Sequence, residues 1–207
     1  MNINYYCGMV TTKAAKTAEY IIETVAPYFN KHGYTGTSLS DITKATGLTK
    51  GAIYGNFASK EDLAVQAFNF TVKSRLWPVI EAINQENTGL NKLHALTSFY
   101  RNYYDHVSEY GGCPVLNVGV DSMNHNSVLY QRVVSVIGKM TQGIADVILQ
   151  AQNEGSIKAS IDATTYANRI YAQIQGSIFL SIITQSNQNM VDMMNHIDQM
   201  IAIEMKV

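Results

Sequence analysis

The sequence predicts an all-helical protein of about nine helices, with no sustained strand-like alternation anywhere in its 207 residues. Three observations support this fold class. Apolar residues recur at spacings of three and four, which places them on one face of a helix. Only three prolines occur in the chain. Clusters of Asn, Gly, Ser and Asp separate the periodic segments, as is typical of the connections between helices.

The first helix is predicted to end at Gly33, because apolar residues from Ala18 to Phe29 recur with helical spacing. Gly33 directly follows this pattern, in the place of a glycine that terminates a helix. Pro27 lies inside the pattern and lacks a backbone N–H, so it should bend the helix.

A short second helix is predicted at 39–46. Ser38 stands three residues before Asp41, and this pair forms a capping box in which each side chain satisfies a backbone N–H of the other residue. A Gly-Leu-Thr turn follows. A third helix is then predicted at about 50–57, with Thr49 as its N-cap.

A long helix is predicted after Ser59, which forms a second capping box with Asp62. Trp77-Pro78 should introduce a kink in this helix. The remaining helices are predicted at roughly 90–109, 115–122, 127–154, 162–185 and 189–205. We divide the chain into an N-terminal head, residues 1–58, and a C-terminal body, residues 59–207.

The charges are distributed unevenly along the chain. Residues 1–60 hold six Lys against three acidic residues, a net charge of +3, and the rest holds nine basic against thirteen acidic residues, a net charge of −4; together these give the overall charge of −1. A basic head on an acidic body is the pattern expected when one end of a protein binds phosphate groups.

Composition indicates a globular protein, because 46% of the residues are hydrophobic and 15% are charged. The N-terminal stretch has no basic residue before an apolar run, so no signal peptide is predicted, and no apolar stretch reaches 18 residues, so no membrane partner is expected. Cys7 and Cys113 show neither metal-ligand spacing nor a disulfide framework. We therefore expect a cytoplasmic protein without cofactor or metal.

The two short helices around 47–49 form a helix-turn-helix, in which the second helix inserts into the DNA major groove. On a helical wheel, Ile53 and Phe57 share the face that packs inward, and Gly51, Ala52 and Gly55 lie on the opposite face. Two glycines on a short helix cost about 1 kcal/mol each in helix propensity. This cost is consistent with the close approach of a large partner, although glycine can equally serve tight helix packing.

Residues 18–68 resemble the N-terminal domain of TetR-family transcriptional regulators. The matching elements occur in the same order over about fifty residues: Phe29, Gly33-Tyr34, Thr37-Ser38, Asp41-Ile42, Gly47-Leu48-Thr49-Lys50-Gly51, Ile53-Tyr54, Phe57 and Ser59-Lys60-Glu61-Asp62-Leu63. The resemblance implies a homodimer, usually a repressor, that binds a double-stranded DNA operator with its head and a small-molecule effector with its body.

The resemblance also implies which residues contact DNA. Tyr54 and Lys60 occupy positions that contact phosphates in the family, whereas Lys50, Gly51 and Ala52 occupy positions that face the groove. Gly55 departs from the family pattern, because many members carry a larger polar residue or His there. The full predicted surface comprises Thr37, Ser38, Thr49, Lys50, Gly51, Ala52, Tyr54, Gly55, Asn56 and Lys60.

An apolar pocket with phenol groups is predicted in the body, where it would suit a flat or hydrophobic small molecule. The aromatic segment 99–110 and neighbouring helices supply its predicted lining, which comprises Phe99, Tyr100, Tyr103, Tyr104, Met123, Met140 and Tyr171. A plain core with tyrosines at its edges would give the same pattern, and so the sequence leaves both interpretations open.

A dimer interface is predicted in the last two helices, where two apolar stripes suggest a four-helix contact across a two-fold axis. Its predicted members are Tyr166, Ile170, Ile174, Gly176, Ile178, Met193, Ile197 and Met200. The alternative is that both stripes pack only inside one protomer.

Enzymatic function is not predicted, because the chain has no HExxH motif, P-loop, dinucleotide fingerprint or nucleophile elbow. Two other functions remain open from the sequence. The chain could be a helical small-molecule-binding protein without DNA binding, or a DNA-binding regulator that responds to another protein instead of a small molecule. The sequence does not distinguish a repressor from an activator.

Overall fold

The computed structural model describes residues 12–207 and confirms the all-helical fold class. Cys7 and the N-terminal stretch for which no signal peptide is predicted lie outside this range. The α-helices of the described part are α1 (Lys13–Gly36), α2 (Leu39–Thr46), α3 (Lys50–Tyr54), α4 (Lys60–Asn84), α5 (Gly89–Arg101), α6 (Tyr104–Glu109), α7 (Pro114–Ser122), α8 (Ser127–Asn153), α9 (Ala163–Ile183) and α10 (Gln188–Met200). A π-helical turn, Ile201–Met205, extends α10.

The first helix breaks at Gly33, as the sequence predicts. Gly33 has φ of 74° and ψ of 173°, and one further helical turn continues to Gly36. Pro27 lies within α1, but the backbone leaves helical dihedral angles at Gly33 and not at Pro27. The chain direction therefore changes at the glycine, which alone tolerates such a conformation without strain.

The predicted capping box of α2 is present. The Ser38 hydroxyl accepts a hydrogen bond from the Asp41 N–H at 3.1 Å, and the Asp41 carboxylate accepts one from the Ser38 N–H at 2.8 Å. The helix ends at Gly47, whose φ of 68° places it in the left-handed region. The Ser38 hydroxyl also donates to the Asp41 carboxylate at 2.6 Å, and this bond, followed by the one from the Ser38 N–H, holds the pKa of Asp41 below its usual value.

The third helix is shorter than predicted, ending at Tyr54 and not near residue 57. Gly55 follows it, and glycine disfavours continuation of a helix. The Asn56 side chain then donates to the Ala52 carbonyl at 2.8 Å, which occupies an acceptor near the helix end.

The long helix α4 begins after Ser59, whose hydroxyl accepts from the Asp62 N–H at 3.0 Å. The second half of the predicted capping box shifts by one residue, because the Asp62 carboxylate accepts from the Ala58 N–H. The helix continues through Pro78 to Asn84. One helix thus connects the head to the interior of the body.

The single helix predicted at 90–109 is two helices. Asn102 and Tyr103 separate α5 from α6, and the N–H of each bonds back to a carbonyl three residues earlier. The Asn102 side chain also donates to the Ser98 carbonyl at 3.2 Å. This break rotates the aromatic residues of α6 relative to those of α5.

One continuous apolar core runs through the head and the body. Ile21, Val25 and Phe29 of α1 belong to the same cluster as Leu63 of α4 and Val118 of α7, and all five are buried. Helix α9 lies between α8 and α10 and forms the centre of the body. Within residues 12–207, none of the helices is long and apolar enough to cross a membrane.

A polar cluster on Asp198 joins α10 to α5. Its carboxylate accepts from Arg101 at 2.6 Å and from the Thr97 hydroxyl at 2.8 Å, and His94 lies at 3.0 Å. Burial alone would raise the pKa of Asp198. Hydrogen bonds from Thr97, His94 and Arg101 outweigh burial, so the pKa lies below its usual value.

Candidate nucleic-acid interface and effector cavity

The outward face of α3 presents the predicted groove-facing residues together. Ile53 is 1% exposed and Phe57 is 2% exposed, so they anchor the helix to the core as the wheel predicts. Lys50 and Tyr54 are exposed on the other side, and the Lys50 ammonium lies 5.9 Å from the centroid of the Tyr54 ring. A charge and a phenol are thus available to adjacent phosphates.

Glycine at position 51 is not required by packing within the protein. A Cβ atom built on Gly51 would approach no neighbour closer than the Thr49 hydroxyl, at 3.9 Å. The residue is exposed and lies inside a helix, where glycine costs about 1 kcal/mol relative to alanine. The space that this glycine leaves therefore lies outside the protein, where a bound duplex would approach.

Three predicted DNA contacts are engaged within the protein instead. Thr37 is 1% exposed and donates its hydroxyl hydrogen to the Gly33 carbonyl at 2.8 Å, which corrects the prediction that its side chain meets DNA. The Asn56 side chain is bound to its own helix. The Lys60 ammonium donates to the Tyr34 carbonyl at 2.6 Å and lies 4.2 Å from the Tyr34 ring centroid.

Lys60 is therefore not a free phosphate contact in this structure. Burial lowers the pKa of its ammonium, while the nearby carboxylates of Asp121 and Asp41 act in the opposite direction. Ser38 is exposed, and its hydroxyl serves the α2 capping box. Among the ten predicted contacts, those on the exposed part of α3 and on the turn before it form one continuous surface.

Asp121 on α7 joins the body to the break in α1, and the sequence analysis missed it. Its carboxylate accepts from the Tyr34 N–H at 2.6 Å and from the Thr35 hydroxyl. Gly33 makes this contact feasible, because a Cβ atom there would lie 2.7 Å from the Asp121 carboxylate carbon. A carboxylate 88 positions away in sequence cannot be assigned to this glycine from local patterns.

Asn117, one turn earlier on α7, makes a second connection. Its amide donates to the Asn30 carbonyl of α1 at 3.1 Å and to the Gly111 carbonyl at 2.8 Å. The Asn30 side chain in turn donates to the carbonyls of Tyr110 and Gly112. The loop before α7, α7 itself and the end of α1 are therefore one hydrogen-bonded unit.

A cavity lies between α4, α5, α7, α8 and α9; its empty space is about 320 Å³ when open solvent is included, but the enclosed room is about 20 Å³, enough for a water molecule. Its lining comprises Val72, Arg75, Leu76, Tyr100, Tyr103, Cys113, Pro114, Val115, Met140, Gln175 and Ile178. Tyr100, Tyr103 and Met140 were predicted for this role. Tyr171, which was also predicted, is buried near Cys113 but is not among the lining residues.

The other predicted pocket residues lie elsewhere. Phe99 packs behind the cavity, its ring centroid 5.4 Å from that of Tyr100 and 5.3 Å from that of Tyr103. Tyr104 is half-buried and lies beyond the break between α5 and α6. Met123 is 56% exposed at the end of α7, which corrects its assignment to the pocket. The prediction assumed one continuous helix over 90–109, whereas the break at Asn102 places Tyr104 on the separate helix α6.

The phenols and the thiol of the cavity are held in their neutral forms. Burial raises the pKa of Tyr103 to about 12 and also raises the pKa values of Tyr100 and Tyr171. Burial likewise raises the pKa of the Cys113 thiol. Arg75 therefore supplies the charge of the cavity lining, which contains no Asp or Glu.

A second cavity, of about 280 Å³, lies where α1, α4 and α7 meet. Its lining is mostly apolar and includes Phe29, Asn30, Phe68 and Val118, and Pro114 lines both cavities. It lacks a charged side chain and therefore offers less means of orienting a polar ligand than the cavity at Arg75.

Five residues of the predicted dimer interface belong to the protomer core. These residues are Ile170, Ile174, Ile178, Ile197 and Met200, none more than 6% exposed. Exposing one of these isoleucines to water would cost about 1.5–3 kcal/mol. The alternative that these stripes pack inside one protomer is correct for these five positions, because α9 lies between α8 and α10.

A different face of α9 is exposed and apolar. Gly176, the predicted member of this face, is exposed, as are Phe179 at 49%, Leu180 at 46% and Ile183 at 65%. Tyr166 and Met193 are half-buried at the margins of the helix pair. The residues predicted for the interface thus lie mostly on the buried side of α9, whereas its exposed apolar residues lie on another face.

Comparisons with known proteins agree with this architecture. Residues 21–67 match the family described as bacterial regulatory proteins, tetR family, and residues 89–197 match the tetracyclin repressor-like C-terminal domain. A TetR transcriptional regulator from Chloroflexus aurantiacus J-10-FL has a solved structure with a TM-score of 0.88 and 30% identity, covering 94% of this chain and 98% of that one.

Two curated relatives carry related descriptions. An uncharacterized HTH-type transcriptional regulator of Lactococcus lactis subsp. lactis is 29% identical over 82% of this chain and 85% of its own length. The probable acrEF/envCD operon repressor of Escherichia coli (strain K12) is 43% identical over 51 residues, which are 25% of this chain and 23% of that protein. The members of this family are DNA-binding regulators and not enzymes. The matches to both parts of the chain show that it belongs to the TetR family of transcriptional regulators.

Proposed function

We propose that this chain is a repressor that dimerises, binds a palindromic DNA operator through α3, and is released by a small hydrophobic or aromatic molecule. The main support for DNA contact is the exposed face of α3, where Gly51 is open to solvent between Lys50 and Tyr54. The repressor assignment is supported by the relative described as a probable operon repressor.

The cavity walls offer a physical route from effector to head. Val72, Arg75 and Leu76 belong to α4, which begins beside Tyr34 at Lys60. The opposite wall includes the start of α7, whose later residue Asp121 binds the end of α1. An occupant that displaces either wall therefore changes the orientation of the helices that hold α2 and α3.

Release of DNA requires that the effector bind the two arrangements with different affinity, because a ligand shifts an equilibrium only by that difference. In this structure the cavity has room for only about 20 Å³, the space of a water molecule, which is far below the roughly 300–1,000 Å³ of small-molecule sites. A bulky occupant fits only if α4 and α7 move apart. It therefore binds the arrangement with separated helices more tightly than the other, and this is the difference in affinity that release requires.

The exposed apolar face of α9 is the surface that we assign to the dimer. Phe179, Leu180 and Ile183 together form an apolar strip next to the small residues Ala172 and Gly176. Pairing α9 with its symmetry mate would bury this strip across a two-fold axis. Two copies of α3 would then meet half-sites about one DNA turn apart, roughly 34–36 Å, or at some adjusted spacing.

A random-sequence DNA selection with the full chain tests the proposal. We expect enrichment of a two-fold symmetric motif by the wild type and by Lys139→Ala, which removes an exposed lysine of α8. The variant Lys50→Ala/Tyr54→Phe should lose the enrichment while keeping its melting temperature. Enrichment of no sequence by the wild type would support a helical small-molecule-binding protein without DNA binding.

A further inference from the structure

The guanidinium of Arg75 is the feature of the effector cavity that the proposed function leaves unexplained. It lines the cavity, forms no salt bridge within residues 12–207, and has a buried Nε atom with no hydrogen-bond partner in that range. By contrast, Arg101 pairs with Asp198 in the same body. A buried donor without a partner is destabilising, the more so on a charged group, so its presence needs an explanation.

Stacking on Tyr110 holds Arg75 in position. The guanidinium carbon lies 3.1 Å from the centroid of the Tyr110 ring, so the ring covers one face of the planar group. The N–H donors of a guanidinium lie in its plane and point away from a ring stacked on its face. The contact with the ring therefore does not use the buried Nε–H, which stays without a partner among residues 12–207.

A second polar atom of the lining is also unsatisfied. The Gln175 amide oxygen is buried without a hydrogen-bond partner within the described residues, and the Gln175 side chain lies near enough to the Cys113 thiol to lower its pKa in part, against the larger effect of burial. The hydroxyl of Tyr171, which is 8% exposed, likewise has no partner there. Polar atoms from α4 and α9 are therefore available to one molecule between them.

We infer that the effector is a small monocarboxylic acid with an apolar body, and that Arg75 binds its carboxylate. This inference rests on the proposed function, since it names the class of ligand for that cavity. Arginine binds carboxylates through two parallel N–H···O bonds. One guanidinium balances one negative charge, whereas a dianion would leave a buried charge uncompensated among neutral phenols and apolar side chains. The apolar body packs against Tyr100, Tyr103 and Ile178.

Pairs of acids and their neutral amides test the inference directly. Calorimetric titration of the full chain would compare 3-phenylpropionate with 3-phenylpropanamide, and hexanoate with hexanamide. The members of each pair have nearly the same shape and differ in charge. We expect at least one acid to bind at millimolar or lower concentration, and at least tenfold more tightly than its amide.

Variants separate the role of Arg75 from a purely structural one. Arg75→Gln should reduce the acid-to-amide preference to about one, and Arg75→Lys should retain part of it. Arg169→Gln is a matched control, because Arg169 also stacks on a tyrosine, Tyr166, but is exposed and outside the cavity. The control should keep the preference of the wild type.

Three results would overturn the inference: no binding of either acid up to about 10 mM, equal binding of an acid and its amide by the wild type, or an unchanged preference in Arg75→Gln. The wild-type comparison decides the matter even if Arg75→Gln fails to fold. DNA binding without ligand, measured in the same variants, separates this result from the proposed function. If the wild type does not bind DNA, the proposed function is refuted but the inference about Arg75 is not, because the acid-to-amide preference is measured without DNA.

Discussion

Replacing Gly33 with alanine should destabilise the protein far more than the same change at Gly36, three residues later. Gly33 has φ of 74° and ψ of 173°, a region that is almost restricted to glycine. A Cβ atom there would also lie 2.7 Å from the carbon and 2.8 Å from one oxygen of the Asp121 carboxylate. The substitution therefore strains the backbone and displaces the residue that ties α7 to α1.

The magnitude follows from these two effects. The backbone strain costs about 1–3 kcal/mol. Displacing Asp121 removes its hydrogen bonds to Tyr34 and Thr35, and one bond to a charged group is worth about 1.5–3 kcal/mol. Because Asp121 is half-exposed, we take the low end of both ranges and expect a loss of about 3 kcal/mol. For a chain of this size this corresponds to a fall in Tm of about 6–12 °C.

Thermal and urea unfolding followed by circular dichroism would measure this loss. Gly36→Ala is the control, because its Cβ would meet only the His32 Cβ at 3.7 Å and alanine favours a helix. In an Asp121→Ala background, Gly33→Ala should cost only the backbone strain. A Tm of Gly33→Ala within about 2 °C of the wild type, or full additivity of the two changes, would refute this reasoning.

Four further predictions follow from other parts of the structure. Gly51→Leu should weaken DNA binding at least tenfold in an anisotropy titration while the Tm stays unchanged or rises, because the position is open within the protein and a side chain there would meet the duplex. Ser59→Ala should lower the free energy of unfolding by about 1 kcal/mol, measured in urea, through loss of the α4 N-cap. Ile183→Glu should raise the dissociation constant of the dimer about 10–100-fold, measured by sedimentation, since an isoleucine that becomes buried in the dimer contributes about 1.5–3 kcal/mol. The pKa of Asp198 is lowered in the folded state, so its stabilisation is present above its unfolded pKa of about 3.9 and is lost as pH falls through the folded pKa; Asp198→Asn should therefore flatten the loss of stability below about pH 4.

The sequence predicted the head well because the signals there are local. The capping box of Ser38 and Asp41, the N-caps at Thr49 and Ser59, and the inward side of α3 all depend on residues within one or two helical turns. Such signals indicate directly which backbone N–H groups a side chain will hydrogen-bond. The length of α3 was overestimated, because Gly55 and Asn56 end it early, and Thr37 and Lys60 are engaged by carbonyl groups of the protein that no local pattern indicates.

The body was predicted less completely because its site depends on contacts distant in sequence. Arg75 and Gln175 line one cavity although they are one hundred positions apart, and no local pattern relates them. The stripe of isoleucines on α9 indicates burial but does not say whether the neighbour is α8, α10 or a second protomer. The exposed position of Ile183 became evident only once both neighbours of α9 were placed.

The dependence of DNA affinity on salt concentration is the most direct test of the account. We would measure it by fluorescence anisotropy with the selected duplex, for the wild type and for Lys50→Ala. We predict that the logarithm of the affinity falls linearly with the logarithm of salt concentration, and that Lys50→Ala reduces the slope by about one, as expected for the loss of one phosphate contact. An affinity that does not change with salt, or a slope that is the same in both proteins, would contradict the assignment of α3 as the DNA-binding surface.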